Sequence, residues 1–178
     1  MKDLKQFNIQ YIGLKEESHL FEYRIDKSFF DAYNFDEYFD ASIHVELTLE
    51  KKNSLLNLVF KANGTVNVAC DVSGEIFDQV IEASLPLIVK FGDEYNDENE
   101  EVLVLPYSEF QLNVAQYIYE MLVLSVPKKR VHPQVLDGTM KSEVLKKLET
   151  LRVTKEKSTD NVDPRWDKLK SLITEKKT

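Results

Sequence analysis

The chain has 178 residues, 43% of them hydrophobic and 30% charged, with a net charge of −8, and these values are typical of a folded globular protein. They exclude collagen-like and wholly disordered chains. A single cysteine excludes an internal disulfide, and with only three histidines it makes a structural zinc site unfavourable.

Two strands and a short helix are predicted in the N-terminal region. Residues 4–14 and 20–25 alternate apolar with polar side chains, as strands do, and Gly13 interrupts the first of them. Asp26 is suited to cap a short helix that continues through Tyr33.

Residues 42–85 are predicted to form an antiparallel meander of four strands. The first strand is marked by strict alternation from Ile43 to Leu49. Asn63-Gly64 is a strong signal for a tight hairpin turn, which would separate the second strand from the third. Another turn is predicted at Ser73-Gly74, and Pro86 limits how far the fourth strand continues.

The second half of the chain predicts an acidic loop, a short strand and several helices. The loop covers residues 93–101, and the strand follows at 102–105. The sequence at 108–111, Ser-Glu-Phe-Gln, fits a capping box, so a helix packed on the sheet is predicted at 109–124. A lysine-rich helical stretch and a last short helix, beginning at Asp163-Pro164, follow.

Charge is distributed unevenly along the chain. Residues 1–126 carry 23 acidic and 9 basic side chains, a net −14, whereas residues 127–178 carry 8 and 14, a net +6. We expect an acidic β-rich domain at 1–134 and a basic helical extension at 135–178. The fold class is α+β: an antiparallel meander or partly open barrel with a packed helix. A merely solubilising division of charge is the alternative reading.

No residue pattern points to catalysis. The serines lack a nucleophile elbow, and the chain has no phosphate loop or dinucleotide fingerprint. The three histidines lie far apart, and the acidic loop lacks the ligand order and glycine of a calcium loop. Cys70 falls on an apolar strand face, where a buried thiol is expected. We therefore expect a protein that is not an enzyme and that has no metal and no cofactor.

Three blocks of sequence carry a resemblance to a known family. The first, residues 68–77, places a cysteine, a short turn and an aromatic residue at the end of a strand. The second, residues 109–127, leads from a helix start to a proline, with His132 downstream, and the third is residues 163–172. In this order the blocks resemble the YceD family, the large ribosomal RNA subunit accumulation proteins. The family-motif residues are Cys70, Gly74, Phe77, Leu112, Pro127, Asp163, Pro164, Leu169 and Leu172.

The chain departs from that family at Ser73, which replaces the second cysteine of the family's Cys-x-x-Cys, and later cysteines of many relatives are missing. The resemblance implies a non-enzymatic factor for large ribosomal subunit biogenesis, acting in accumulation or processing of 23S rRNA. It implies a basic large-subunit ribosomal protein and/or precursor rRNA as partner, with no small-molecule substrate. Because no apolar run is long enough to span a bilayer and no signal-peptide pattern opens the sequence, we expect a cytoplasmic location.

The uneven charge gives this expected role two candidate surfaces. An acidic surface attracts a basic protein, and a basic one attracts RNA phosphates. The candidate protein contacts are Asp93, Glu94, Asp97, Glu98, Glu100 and Glu101. The candidate RNA contacts are Lys128, Lys129, Arg130, Lys146 and Lys147. The alternative function is a small-molecule carrier, in which the strands would close into a barrel around a cavity.

Overall fold

β-strands dominate the computed structural model, which describes residues 4–99 and 101–151. The strands are β1 (Asn8–Ile9), β2 (Ser18–Asp26), β3 (Asp40–Lys52), β4 (Leu55–Ala69), β5 (Ile76–Gly92), β6 (Asn96–Asn99), β7 (Val102–Pro106) and β8 (Leu112–Asn113). The helices are a 3₁₀-helix (Leu4–Phe7), α1 (Lys27–Asp31), α2 (Ala115–Ser125), α3 (Pro133–Leu136) and α4 (Glu143–Leu151).

Three long antiparallel strands, β3, β4 and β5, form the centre of the sheet. Their register places Leu47 beside Phe60 and Phe60 beside Leu85. Alternate residues of β3 are buried, as the period-2 pattern from Ile43 to Leu49 predicts, and they face the core under the helices. The predicted β3 strand and the turn that follows it are confirmed.

The predicted hairpin turn at Asn63-Gly64 is wrong, because both residues lie inside the continuous strand β4. Gly64 pairs with Ile43 on one side and with Ile81 on the other. A Cβ atom at this position would lie 2.3 Å from the carbonyl oxygen of Ser42. Glycine is therefore required here by the close approach of β3, and not by a turn. Residues 42–85 contribute three strands to the sheet and not four.

The sheet is open. Its strand order is β2-β3-β4-β5-β7-β6, with β7 parallel to β5 and antiparallel to β6. β5 runs through Pro86, and within the described residues it has no second partner strand before Ile88, so a residue without an N–H is tolerated there. The α+β class is confirmed as an open sheet, and the closed barrel that the carrier alternative requires is not formed by the described strands.

The strand predicted at residues 4–14 is wrong. This segment contains the 3₁₀-helix and the two-residue strand β1, which pairs with β8 outside the main sheet. Phe7 packs against the rings of Tyr23 and Phe29, at 5.1 Å between centroids in each case. The Lys51 ammonium donates to three carbonyl groups between Tyr11 and Leu14, which replaces the bonds that a neighbouring strand would supply. The predicted helix after Asp26 is confirmed as α1.

The main helix begins six residues later than predicted. The capping box at 108–111 is not used, because the chain first forms β8. The side-chain oxygen of Asn113 accepts the backbone N–H of Ala115 at 2.9 Å, and α2 starts there. As predicted, α2 ends before Pro127, and it buries Ile118 and Leu122 against the sheet.

The chain divides into two compact units, Met1–Met140 and Lys141–Thr178. Val135 packs against the core of the first unit, whereas the described part of the second consists mainly of α4, within the predicted lysine-rich stretch. The predicted helix at 163–172 lies outside the described residues. The division after residue 134, and the character assigned to each side of it, stay predictions. No helix among the described residues is long and apolar enough to cross a membrane.

Candidate functional site

The predicted acidic loop is partly a strand, because β6 occupies its middle and forms one edge of the sheet. All four residues of β6 are exposed. The side chains of Asn96 and Asn99 accept the backbone N–H groups of Glu98 and Glu101, at 3.0 and 2.9 Å. The predicted protein contacts Asp93, Glu94, Asp97, Glu98 and Glu101 are all exposed along this edge, and Glu100 lies outside the described residues.

A groove lies beside this edge, between α2 and strands β6 and β7. It consists of two cavities, of about 540 and 300 Å³, which share Tyr95, Leu103, Gln116 and Tyr117. We call these two cavities together the Tyr95–Tyr117 groove. The larger cavity is also lined by Tyr33, Leu105, Pro106, Glu109, Gln111, Leu112 and Asn113. The smaller is also lined by Leu85, Leu87, Asp97, Asn99, Glu120, Met121 and Leu124.

Two tyrosines stand where the cavities meet. The Tyr95 side chain is 56% exposed, and its hydroxyl donates to the Asp97 carboxylate at 3.0 Å. It also forms a hydrogen bond with the Tyr117 side chain. The Tyr117 ring is stacked on the buried Phe60, with 6.4 Å between centroids, so Tyr117 is anchored in the core.

The groove carries a negative electrostatic field. Burial raises the pKa of Tyr117, and Tyr95, Asp97 and Glu120 raise it further because negative charge opposes a phenolate. Burial and Asp97 likewise raise the pKa of Tyr95. Glu120 is held in place by Gln116, whose amide donates to it at 2.9 Å. The arrangement favours cations over anions.

The family-motif residues around Cys70 form a second cluster, at the turn between β4 and β5. Cys70 is buried, as predicted, and its sulfur accepts the backbone N–H groups of Ser73 and His132 at 3.4 and 3.3 Å. Gly74 has a φ of 75°, which this turn requires. The Phe77 and His132 rings lie 5.3 Å apart. The structure thus joins the first family block to the histidine downstream of the second.

The environment of Cys70 favours its thiolate. Burial acts to raise the pKa of the thiol, but the N–H groups of His132, Ser73 and Val72 and the Ser73 hydroxyl act against it. The pKa of Cys70 is consequently lowered to about 7. Ser73 supports the sulfur here by hydrogen bonds, at the position where relatives carry a second cysteine.

The same turn is tied to the chain beyond α2 through Arg130. Asp71 accepts the backbone N–H of Arg130 at 2.6 Å and donates its own backbone N–H to the Arg130 carbonyl at 2.8 Å. The Arg130 guanidinium lies 3.3 Å from the Glu37 carboxylate and 3.8 Å from Asp71. Arg130 therefore has a positioning role that the sequence did not indicate, because its partners lie more than 50 residues away.

The other predicted RNA contacts are exposed. Lys128 and Lys129 lie in the segment between α2 and α3, and Lys146 and Lys147 lie on α4 in the second unit. Of the remaining family-motif residues, Leu112 is buried in β8 and Pro127 is exposed. The four residues of the third block, Asp163, Pro164, Leu169 and Leu172, lie outside the described residues.

Two features of the surface were missed by sequence reasoning. The Tyr95–Tyr117 groove was missed although a tyrosine inside an acidic stretch, and a second one beside Glu120 on α2, were available as signals. On the other face of the sheet, ligand atoms of Glu22, His44 and Glu46 lie within 4.8 Å of one another. That group is exposed, and it forms because β2 and β3 place these residues side by side in register.

Comparison with protein families identifies the chain. Residues 58–173, well over half of the sequence, match the family model described as Large ribosomal RNA subunit accumulation protein YceD. The matched region begins within β4 and includes the Cys70 turn, the acidic edge and α2. Neither curated proteins nor solved structures give a significant match. The chain therefore belongs to the YceD family, whose name ties it to accumulation of the large ribosomal RNA subunit.

Proposed function

We propose that the protein supports large ribosomal subunit biogenesis as a non-enzymatic factor that binds a basic large-subunit ribosomal protein through its acidic edge. The observation that carries this proposal is the run of exposed carboxylates along β6, in a chain of the YceD family. Exposed carboxylates attract a cationic partner over about one Debye length, roughly 8 Å at physiological ionic strength. Such a partner would otherwise bind RNA indiscriminately, and the acidic edge would mask it before assembly.

Contact with precursor rRNA is the second part of the proposal. Lys128 and Lys129 are exposed and free of the ion pairs that hold Arg130, so they are suited to phosphate contacts. Lys146 and Lys147, on α4, offer further cations within their own unit. The acidic edge repels phosphates, so RNA contact would be confined to these lysines. The protein would then present a basic protein and rRNA to each other.

The direct test is capture of partners from cell lysate with the tagged full chain. Protein partners are identified by mass spectrometry and RNA by sequencing, at low and at high salt. We expect a basic large-subunit protein that is released as salt rises, since exposed charge pairs are screened. Replacing Lys128 and Lys129 by Gln should reduce captured rRNA by about one unit of salt slope per lost phosphate contact, without loss of the protein.

A matched variant separates specific from general charge effects. Five carboxylates of the acidic edge, Asp93, Glu94, Asp97, Glu98 and Glu101, are replaced by their amides. The control variant carries five amides on the opposite sheet face and in the N-terminal loop, at Glu16, Glu17, Glu22, Asp78 and Glu82, all exposed. Loss of capture in the first variant alone supports the proposal. Equal loss in both, or capture of no basic large-subunit protein and no large-subunit rRNA by the native chain, would refute it.

A further inference from the structure

We infer that the Tyr95–Tyr117 groove binds arginine side chains from an extended segment of the basic partner. This inference rests on the proposed function, because it names the feature by which that partner is recognised. The acidic edge attracts any cation at long range, whereas the groove provides a concave surface at which one type of cation is distinguished from another.

Charge complementarity indicates a cationic occupant. Among the residues that line the two cavities there are three carboxylates and no lysine, arginine or histidine. The larger cavity contains Glu109, and the smaller contains Asp97 and Glu120. Their apolar walls, such as Leu103, exclude water, so the field of each carboxylate is less screened than at the open surface. Each cavity is therefore suited to hold one cationic side chain.

The tyrosines favour arginine over lysine. A guanidinium is planar, stacks on an aromatic face and donates to a carboxylate through two N–H groups at once. Tyr95 presents an exposed ring next to Asp97, and its hydroxyl is already held by that carboxylate. Ring face and carboxylate are thus adjacent, as a stacked and hydrogen-bonded guanidinium needs. An ammonium group uses only the charge and is more strongly hydrated.

The dimensions of the groove suit a short extended segment. The groove follows α2 from Gln116 to Leu124, which is about 12 Å at 1.5 Å per helical residue. An extended chain covers this length with about four residues, of which two point to the same side. Two side chains on one side of the segment correspond to the two cavities on either side of Tyr95 and Tyr117.

The test uses the full-length protein and two fluorescent peptides of equal charge, octa-arginine and octa-lysine, with binding followed by anisotropy. We expect octa-arginine to bind at least roughly threefold more tightly than octa-lysine. Replacing Tyr95 by Ala should remove that preference, because the stacking face is lost. Replacing Tyr95 by Phe should retain it. Tyr95 is exposed, so neither change disturbs the core.

A matched pair of charge variants localises the binding. Asp97→Asn with Glu120→Gln removes two carboxylates from the groove, and Asp78→Asn with Glu82→Gln removes two from the outer face of β5. We expect the first pair to weaken octa-arginine binding about tenfold and the second about twofold or less.

The outcomes distinguish this inference from the function on which it rests. Equal losses in the two charge variants, or equal binding of the two peptides, would overturn the groove while leaving charge-driven capture of a basic protein intact. Displacement of octa-arginine by octauridylate in a manner that depends on Tyr95 would assign the groove to RNA and would also overturn it. If lysate capture finds no basic partner, the proposed function fails whatever the peptides do.

Discussion

Cys70 illustrates how a single residue is shaped by groups distant in the sequence. Its sulfur accepts N–H groups from Ser73, three residues on, and from His132, 62 residues on. Hydrogen bonds to sulfur favour the thiolate, and here they outweigh the effect of burial. The thiol thereby contributes to joining the β4–β5 turn to the segment after α2.

The stability of the protein should depend on the ionisation of Cys70. Its pKa is lowered from 9.0 to about 7 in the folded state, so the thiolate stabilises the fold fully above pH 9 and this contribution is lost as pH falls through 7. We expect the free energy of unfolding, relative to Cys70→Ala, to rise between pH 7 and 9 by up to about 2 kcal/mol. Urea unfolding of both proteins at each pH, with thiolate absorbance at 240 nm, measures it. A constant difference across this range would contradict the assignment.

Gly64 should be intolerant of any side chain. In Gly64→Ala the new Cβ would meet the Ser42 oxygen at 2.3 Å and the Ile43 Cα at 2.6 Å, both on the backbone of β3. We expect a loss of about 2 kcal/mol in the free energy of unfolding, typical of overpacking that moves backbone. Gly13→Ala is the control, because a Cβ there has no atom within 4 Å. Comparable losses in both variants would show that general backbone entropy, and not contact with β3, is responsible.

At the scale of elements, α2 is positioned by a strand rather than by a capping box. β8 pairs with β1 and places Asn113 directly before the helix. The Asn113 side chain accepts from Ala115 and donates to Leu4 and Asn8, so one amide connects the helix start to the N-terminal segment. This linkage orients the face of α2 that lines the Tyr95–Tyr117 groove.

Asn113→Ala should therefore destabilise the protein by about 1–2 kcal/mol, since it removes the helix cap and two further hydrogen bonds. Ser108→Ala, at the position that the sequence suggests as cap, should change the stability by less than about 0.5 kcal/mol. Chemical denaturation followed by circular dichroism measures both. A larger effect at Ser108 than at Asn113 would contradict the helix start described here.

At the scale of the whole molecule, the net −14 of residues 1–126 is concentrated where a partner has access. The central strands bury one sheet face under α1 and α2, and the acidic edge lies at the far end of the strand order. The sheet is thus a rigid support for an exposed charged strand. Structural stability and partner attraction are carried by different residues, so variants of one need not disturb the other.

This separation predicts a phenotype without unfolding. Replacing the carboxylates of the acidic edge by amides should leave the melting temperature nearly unchanged, because these side chains are exposed. The same change should lower the amount of large subunits and raise precursor rRNA in cells, as in a deletion strain. Sucrose gradients and rRNA blots measure both. Normal profiles in the variant and in the deletion strain would rule out the ribosomal role for this protein.

The sequence by itself determined the strands, the class of fold and the family. Alternation in β3 and β4 is a local property, since every second residue of a half-buried strand must be apolar, and it was sufficient for the α+β prediction. The family blocks were visible as short residue patterns, which need no knowledge of contacts.

Only the tertiary structure decided where local signals were overridden. Asn63-Gly64 is a turn signal in isolation, but flanking strands on both sides make it part of β4. The capping box yielded to β8, whose partner β1 lies more than 100 residues away. The Tyr95–Tyr117 groove and the tie between Cys70 and His132 also join residues remote in sequence. Such contacts depend on how the chain folds back on itself, and no local pattern encodes that.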